Sequence, residues 1–285
     1  MNHKKRKFDY KTLSTSEAPG KIPMIFRKDL GSKDQIIHRG IFSPDFEYFY
    51  FTVSNKDYSN FTIQSMQSVN NEWSKPKVAF FNSKEDDHGM SYSPDGRSIY
   101  FSSTRKVHDA DVLDTWHLWK VTKRKGEWGA PEFIDIPNLR DKLVSHPTVT
   151  NSGRLYFHVS NLDYSNMNLF YSDQVNGKFT DAKAVFPDQK DRLFHNRCTP
   201  FIAPDDQYII YARIEAQLKL VICYRDREDS WGPPIELNDL INKDGQGNPF
   251  VTIDNEYLFY ATGNPSGENW NLHWVKMEDI EKDGD

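Results

Sequence analysis

Short apolar strands alternate with tight polar turns along this chain, and the alternation recurs. His88-Gly-Met-Ser-Tyr-Ser-Pro-Asp-Gly-Arg-Ser-Ile-Tyr-Phe-Ser-Ser103 reads as a strand, a Pro-Asp-Gly turn and a second alternating strand, which together make a β-hairpin. The pattern returns as His38-Arg-Gly-Ile-Phe-Ser-Pro-Asp45 before the apolar run 48–53, and as Pro147-Thr-Val-Thr-Asn-Ser-Gly153 before 155–157. It returns again as Pro200-Phe-Ile-Ala-Pro-Asp-Asp206 before 208–211 and as Pro249-Phe-Val-Thr-Ile-Asp-Asn255 before 257–260. A spacing of about fifty residues signals a solenoid, propeller or array.

Each copy continues alike. A loop follows the hairpin, then a third strand (61–65, 116–121, 167–171, 219–224 and 271–275), then a Trp-x-x-Pro turn or a relative of it, then a fourth strand. The turns are Trp73-Ser-Lys-Pro76, Trp128-Gly-Ala-Pro131, Phe179-Thr-Asp-Ala182 and Trp231-Gly-Pro-Pro234. The fifth copy stops after its third strand, and the missing piece stands at the front: Gly20-Lys-Ile-Pro23 followed by Met24-Ile-Phe26. An N-terminal strand that completes the last sheet closes a ring and removes the exposed edge of an open array. The expected fold is therefore all-β: a five-bladed β-propeller of four-stranded antiparallel blades. Residues 1–19 read as a basic tail, 20–277 as the propeller and 278–285 as a C-terminal tail. The closing strand is expected within 20–30, and the blades at about 36–83, 86–137, 143–188, 195–239 and 246–277.

Composition narrows the partners. Aromatics make up 14% of residues, mostly Tyr and Phe in strand-like runs, which suits the β reading. A net charge of −5 leaves no basic face for nucleic acid; the Lys-Lys-Arg-Lys run at 4–7 reads as a solvated tail. No apolar run is long enough to span a bilayer, and the first thirty residues lack the apolar core of a secretory signal. The expected location is the cytoplasm as the sequence is written, or the periplasm or exterior if a leader has been removed. A monomer is expected. Cys198 and Cys223 fall two strands apart in one blade, too far for a disulfide, so two free thiols are expected.

The Ser-Pro-Asp-Gly-Arg-x-Ile-Tyr-Phe-Ser phrase, with Trp-x-x-Pro and a closing strand, resembles the PD40 or TolB-like branch of WD40-like propeller repeats, from about residue 20 to 276. The third to fifth copies depart from that phrase. The resemblance implies fold far more than function, because the branch includes scaffolds, periplasmic binding modules and a few lyases.

In such a ring the first strand of each blade lines the channel, and the segments leading into it share the top face with the loops between second and third strands. Aligning the copies on Ser43 and Ser93 puts His38 and His88 in one position, with His146 one residue away; Cys198 aligns in blade four, preceded by His195, Asn196 and Arg197. Blade five offers Gln246 and Asn248. Imidazoles from separate strands can ligate a divalent metal such as Mn, Zn or Ca, so His38, His88, His146 and His195 are candidate ligands. Neutral imidazoles that simply hydrogen-bond in a wet channel mouth remain open beside that reading.

Rim loops of blades one and three are near copies, Ser54-Asn-Lys-Asp-Tyr-Ser-Asn60 and Ser160-Asn-Leu-Asp-Tyr-Ser-Asn166. Asp57, Tyr58, Asp163 and Tyr164 are candidates for gripping a sugar; an Asx turn explains the same residues. Arg39, Arg197 and Arg213 would suit a carboxylate or phosphate. The expectation is a small polar or anionic, carbohydrate-like ligand in a His-lined pocket. A faint similarity to oligogalacturonate-lyase-type propellers implies a metal-dependent lyase, with catalytic candidates among His38, His88, Arg39, Arg197, Tyr58 and Tyr164. The alternative is a non-enzymatic scaffold that binds a protein on the top face. Whether the protein is an enzyme stays open.

Overall fold

The computed structural model describes residues 18–30, 32, 34–70, 72–187, 196–227, 230–263 and 270–281. Five antiparallel sheets follow one another along the chain, each built from an innermost strand outward. Blade one runs Gln35–Phe42, Tyr48–Asn55, Thr62–Val69 and Lys77–Val78; blade two runs Asp87–Tyr92, Ser98–Ser103, His117–Arg124 and Glu132–Phe133. Blade three runs Leu143–Val149, Leu155–Ser160, Asn168–Ser172 and Lys183–Ala184; blade four runs Arg197–Ile202, Tyr208–Ile214, Leu218–Arg227 and Ile235–Glu236. Blade five has Gly245–Val251, Tyr257–Gly263 and Asn271–Lys276 from the end of the chain, and Met24–Ile25 from its beginning.

The closing strand pairs antiparallel with the third strand of blade five, Met24 opposite Trp274 and Ile25 opposite His273. The Phe26 amide continues the ladder to the Leu272 carbonyl at 2.8 Å. Its ring is buried among Phe42 and Phe49 of blade one and Phe259 and Trp274 of blade five, with centroids 5.1–5.9 Å away. The sheet is thus sealed by hydrogen bonds along one edge and by an aromatic plug across the seam.

Both faces of every blade are covered by neighbours, so the strands read as nearly continuous apolar runs and successive residues serve opposite neighbours. Phe49 and Phe51 pack toward blade five, while Tyr50 between them packs toward Phe81 and blade two. Five such clusters fill the five gaps between blades among the described residues. The turn tryptophans join them: Trp128 lies over Phe80 of blade one, and Trp231 over Phe186 and Tyr156 of blade three.

Ser-x-Asp chemistry closes the bottom hairpins. Ser43 Oγ donates to Asp45 and accepts from the Tyr48 amide, and Ser93, Asp95 and Ser98 repeat the arrangement. Cys198 and Cys223 are free and buried, as expected from their strands. No helix among the described residues is long and apolar enough to cross a membrane.

Candidate functional site at the channel mouth

Every inner strand slips register by one residue against its neighbour. The slips lie between Ile37 and Gly40, His88 and Ser91, Ser145 and Thr148, Cys198 and Phe201, and Gly247 and Phe250. A bulge re-aims the side chains around it. In blades two to five the bulge holds a residue with positive φ: Gly89 (62°), His146 (56°), Thr199 (47°) and Asn248 (56°). Counted back from Ser43 and Ser93, the slip in blade one lies one residue earlier. His38 therefore sits within a bulge and His88 just before one, although the sequence aligns them.

Three bulges are tied to the preceding blade by their own amides. His146 donates to Ser102 Oγ (2.9 Å), Thr199 to His158 Nδ1 (3.3 Å) and Asn248 to Thr199 Oγ1 (3.1 Å). These bonds assign the tautomers. Because His158 Nδ1 accepts, its Nε2 carries the proton and donates to Ser145 Oγ at 2.8 Å. The Ser145 hydroxyl then donates to His146 Nδ1 at 3.0 Å, which leaves the His146 proton on Nε2. On the other side, Ser54 donates to its neighbouring carbonyl and accepts from His38 Nε2 at 2.8 Å, so His38 Nδ1 is an acceptor.

Ring contacts join the group. His88 and His146 lie 4.5 Å apart at 89°, and His146 stacks on His158 at 4.9 Å. A collar of Phe61, Trp116 and Tyr58 surrounds His38 and His88, with Trp116 4.1 Å from the His88 ring. Burial holds all four imidazoles neutral: His38 is pushed down to about 4 and His158 to about 3, and His88 and His146 lie well below the usual imidazole range. Their mutual repulsion and the Arg39 charge deepen the effect at His88 and His146. At the same level in blade five, the buried Gln246 Oε1 and Asn248 Oδ1 have no partner among the described residues.

The structure thus brings His38, His88, His146, Gln246 and Asn248 to inner-strand positions around one channel. It adds His158, which the sequence reading passed over because it lies on a second strand; the polar residue within Leu-Tyr-Phe-His-Val is the signal that could have found it. Among the described residues no three His, Cys, Asp or Glu side chains are placed to hold a metal ion. His195, the fourth candidate ligand, lies outside the described residues.

Other candidates are placed elsewhere. Arg197 is buried in the gap between blades three and four, its guanidinium 4.5 Å over the Phe186 ring and bonded to Asn168. Arg213 pairs with Glu215 at 2.7 Å and with Glu236, away from the axis. Asp57 and Asp163 each accept from the serine two residues on, through both amide and hydroxyl, which is the Asx turn. Asn196 is exposed, and its carbonyl accepts from the Ile214 amide. Tyr58 and Tyr164 stand exposed on the rim, both with positive φ. Arg39 does not face the mouth as expected: it turns across the channel to the Pro200 carbonyl of blade four at 2.6 Å and lines the opposite opening.

Comparison with known proteins adds fold but no family. No protein-family model matches the chain, and no curated protein matches it. Among solved structures, an Agrobacterium tumefaciens protein assigned as TolB superposes with a TM-score of 0.54 at 13% identity, covering 87% of this chain and 79% of that one. A Dyadobacter fermentans protein of unknown function gives 0.52 at 10% identity, over 89% of this chain and 96% of that one. Kuenenia stuttgartiensis hydrazine synthase gives 0.51 at 12% identity, with this chain matching 38% of it. TolB-like propellers are thus structural neighbours, and the likeness is one of fold.

Proposed function

We propose that this protein is a binding propeller whose His-lined channel mouth takes a small polar, carbohydrate-like ligand. The carrying observation is the uncharged mixture of donors and acceptors left open there: the His146 Nε2–H, His38 Nδ1, Gln246 Oε1 and Asn248 Oδ1. Hydroxyl groups, which both donate and accept, satisfy such a set, whereas an anion would meet two amide oxygens. The aromatic collar offers flat apolar faces to a sugar ring, and exposed Tyr58 extends it to the rim. Buried polar groups left unpaired are costly, so a ligand that pairs them gains affinity by doing so.

Titration calorimetry with neutral and acidic mono- and oligosaccharides tests this reading. Saturable binding that weakens at least tenfold in H88A, with the fold retained, is expected. No heat and no shift of the histidine ring resonances at millimolar saccharide would end it. A divalent metal held by His38 and His88, with lyase chemistry on a uronate, is the weaker reading. Stoichiometric Mn, Zn or Ca after mild purification, lost in the H38A/H88A double variant, would replace the first proposal with this one. A protein partner on the top face is favoured by one observation, the exposed Tyr58, Leu162 and Tyr164 of the rim. A partner whose binding is lost in Y58A/Y164A would support it.

A further inference from the structure

The opening at the other end of the channel has different chemistry. It is an apolar funnel, formed by the bottom turns and the last residues of the inner strands, and its empty space, counted to the open mouth, is about 570 Å³. Pro44, Phe46, Tyr92, Pro94, Phe201 and Ile253 contribute to its wall.

Two buried polar atoms of the lining, Arg39 Nε and Ser91 Oγ, lack a hydrogen-bond partner among the described residues. Arg39 is 3% exposed and lines the funnel; one nitrogen donates to Pro200, Nε has no acceptor, and among the described residues no carboxylate pairs with it. Ser91, 9% exposed, lines the same space, and its Oγ also lacks a partner. A buried guanidinium without a counter-ion is expensive, and desolvation pushes Arg39 down to about 9. Blade one also departs from its siblings here: where the other four carry Gly, His, Thr and Asn with positive φ, it carries an arginine without it.

We propose that this funnel is a second binding site, for a small apolar carboxylic acid. Its carboxylate seats on Arg39 and Ser91, and its aliphatic or aromatic body fills the proline- and phenylalanine-lined wall. The charge and the open hydroxyl select an anion with planar acceptors, and the lining selects the tail. The site lies on the face opposite the His-lined mouth and stands whether or not that mouth binds a saccharide.

Octanoate and phenylacetate are suitable probes, compared by calorimetry with octanol and octylamine. Saturable binding of the acids, at least tenfold tighter than of the alcohol, and a shift of the Arg39 Nε–H resonance are expected. R39M should abolish the preference for acid over alcohol, and S91A should weaken acid binding several-fold. If R39M does not fold, I253E decides. It places a carboxylate at the exposed rim, where Ile253 is 38% accessible, and should lower acid affinity while leaving octanol binding within twofold. Acid and alcohol binding with equal affinity, or neither acid binding at 10 mM, would overturn the proposal.

Discussion

A methyl group on Gly89 would stand 3.1 Å from Cδ2 and 3.3 Å from Cα of His146, so the backbone of blade two and the imidazole of blade three occupy adjoining space with no slack. Gly89 also has a φ of 62°, a conformation that side chains resist. G89A should therefore cost about 1–3 kcal/mol. Urea unfolding measures the loss, and ring-resonance shifts at His88 and His146 should accompany it. An unchanged midpoint would mean that the two blades are not held this close.

The neutral imidazoles make stability depend on pH. An unfolded histidine titrates near 6.5, while His38 in the fold titrates at about 4 and His158 at about 3. Above pH 6.5 both states are neutral and the contribution is complete. As pH falls, the unfolded chain takes up protons that the folded one refuses, so stability drains away until the folded values are passed. Between pH 7 and pH 5 the loss should be on the order of 1–2 kcal/mol for each such imidazole. Thermal melts across that range measure it, and the acid limb should flatten in H158Q even if that variant is less stable at neutral pH.

Ring closure concentrates on one side chain. F26A removes a buried ring that touches blades one and five together and should cost about 3–5 kcal/mol. Hydrogen exchange should show the loss first in the third strand of blade five, whose outer edge Met24 and Ile25 cover. Uniform loosening of all blades would contradict a local seam.

Both thiols should be inert in the folded protein. Burial pushes Cys198 up to about 12 and Cys223 up to about 11, and neither pairs in a disulfide. An aromatic disulfide reagent should release no colour at pH 8 until denaturant is added, and then two equivalents.

Much of the architecture was legible because it is carried by period-two alternation and by turn residues with fixed chemistry. Gly20-Lys-Ile-Pro23 could be matched to the missing quarter of blade five from its likeness to Trp-x-x-Pro alone. The bulges were not legible in the same way. Apolar alternation does not mark an inserted residue, and blade one places its slip a residue early, so aligning His38 with His88 put Arg39 on the wrong side of the waist. The signal was present in part: His146, Thr199 and Asn248 are each followed by proline, while Arg39 is followed by glycine. His158 escaped for another reason. Its partner Ser145 became recognisable only when two adjacent strands were laid side by side. Arg197 and Arg213 were read as free cations, yet an aromatic face and carboxylates engage them, while at Asp57 and Asp163 the Asx turn, left open beside a sugar contact, is what forms.

The seam between the first and last strands has a consequence for synthesis. Blades one to four can form as the polypeptide leaves the ribosome, but Met24 must wait for Trp274, so the ring stays unlatched until about 250 further residues have been made. Joining the two ends with a short linker and opening the chain between two other blades would turn that distant pairing into a local hairpin. The rearranged protein should latch sooner and aggregate less during refolding, with the same final shape.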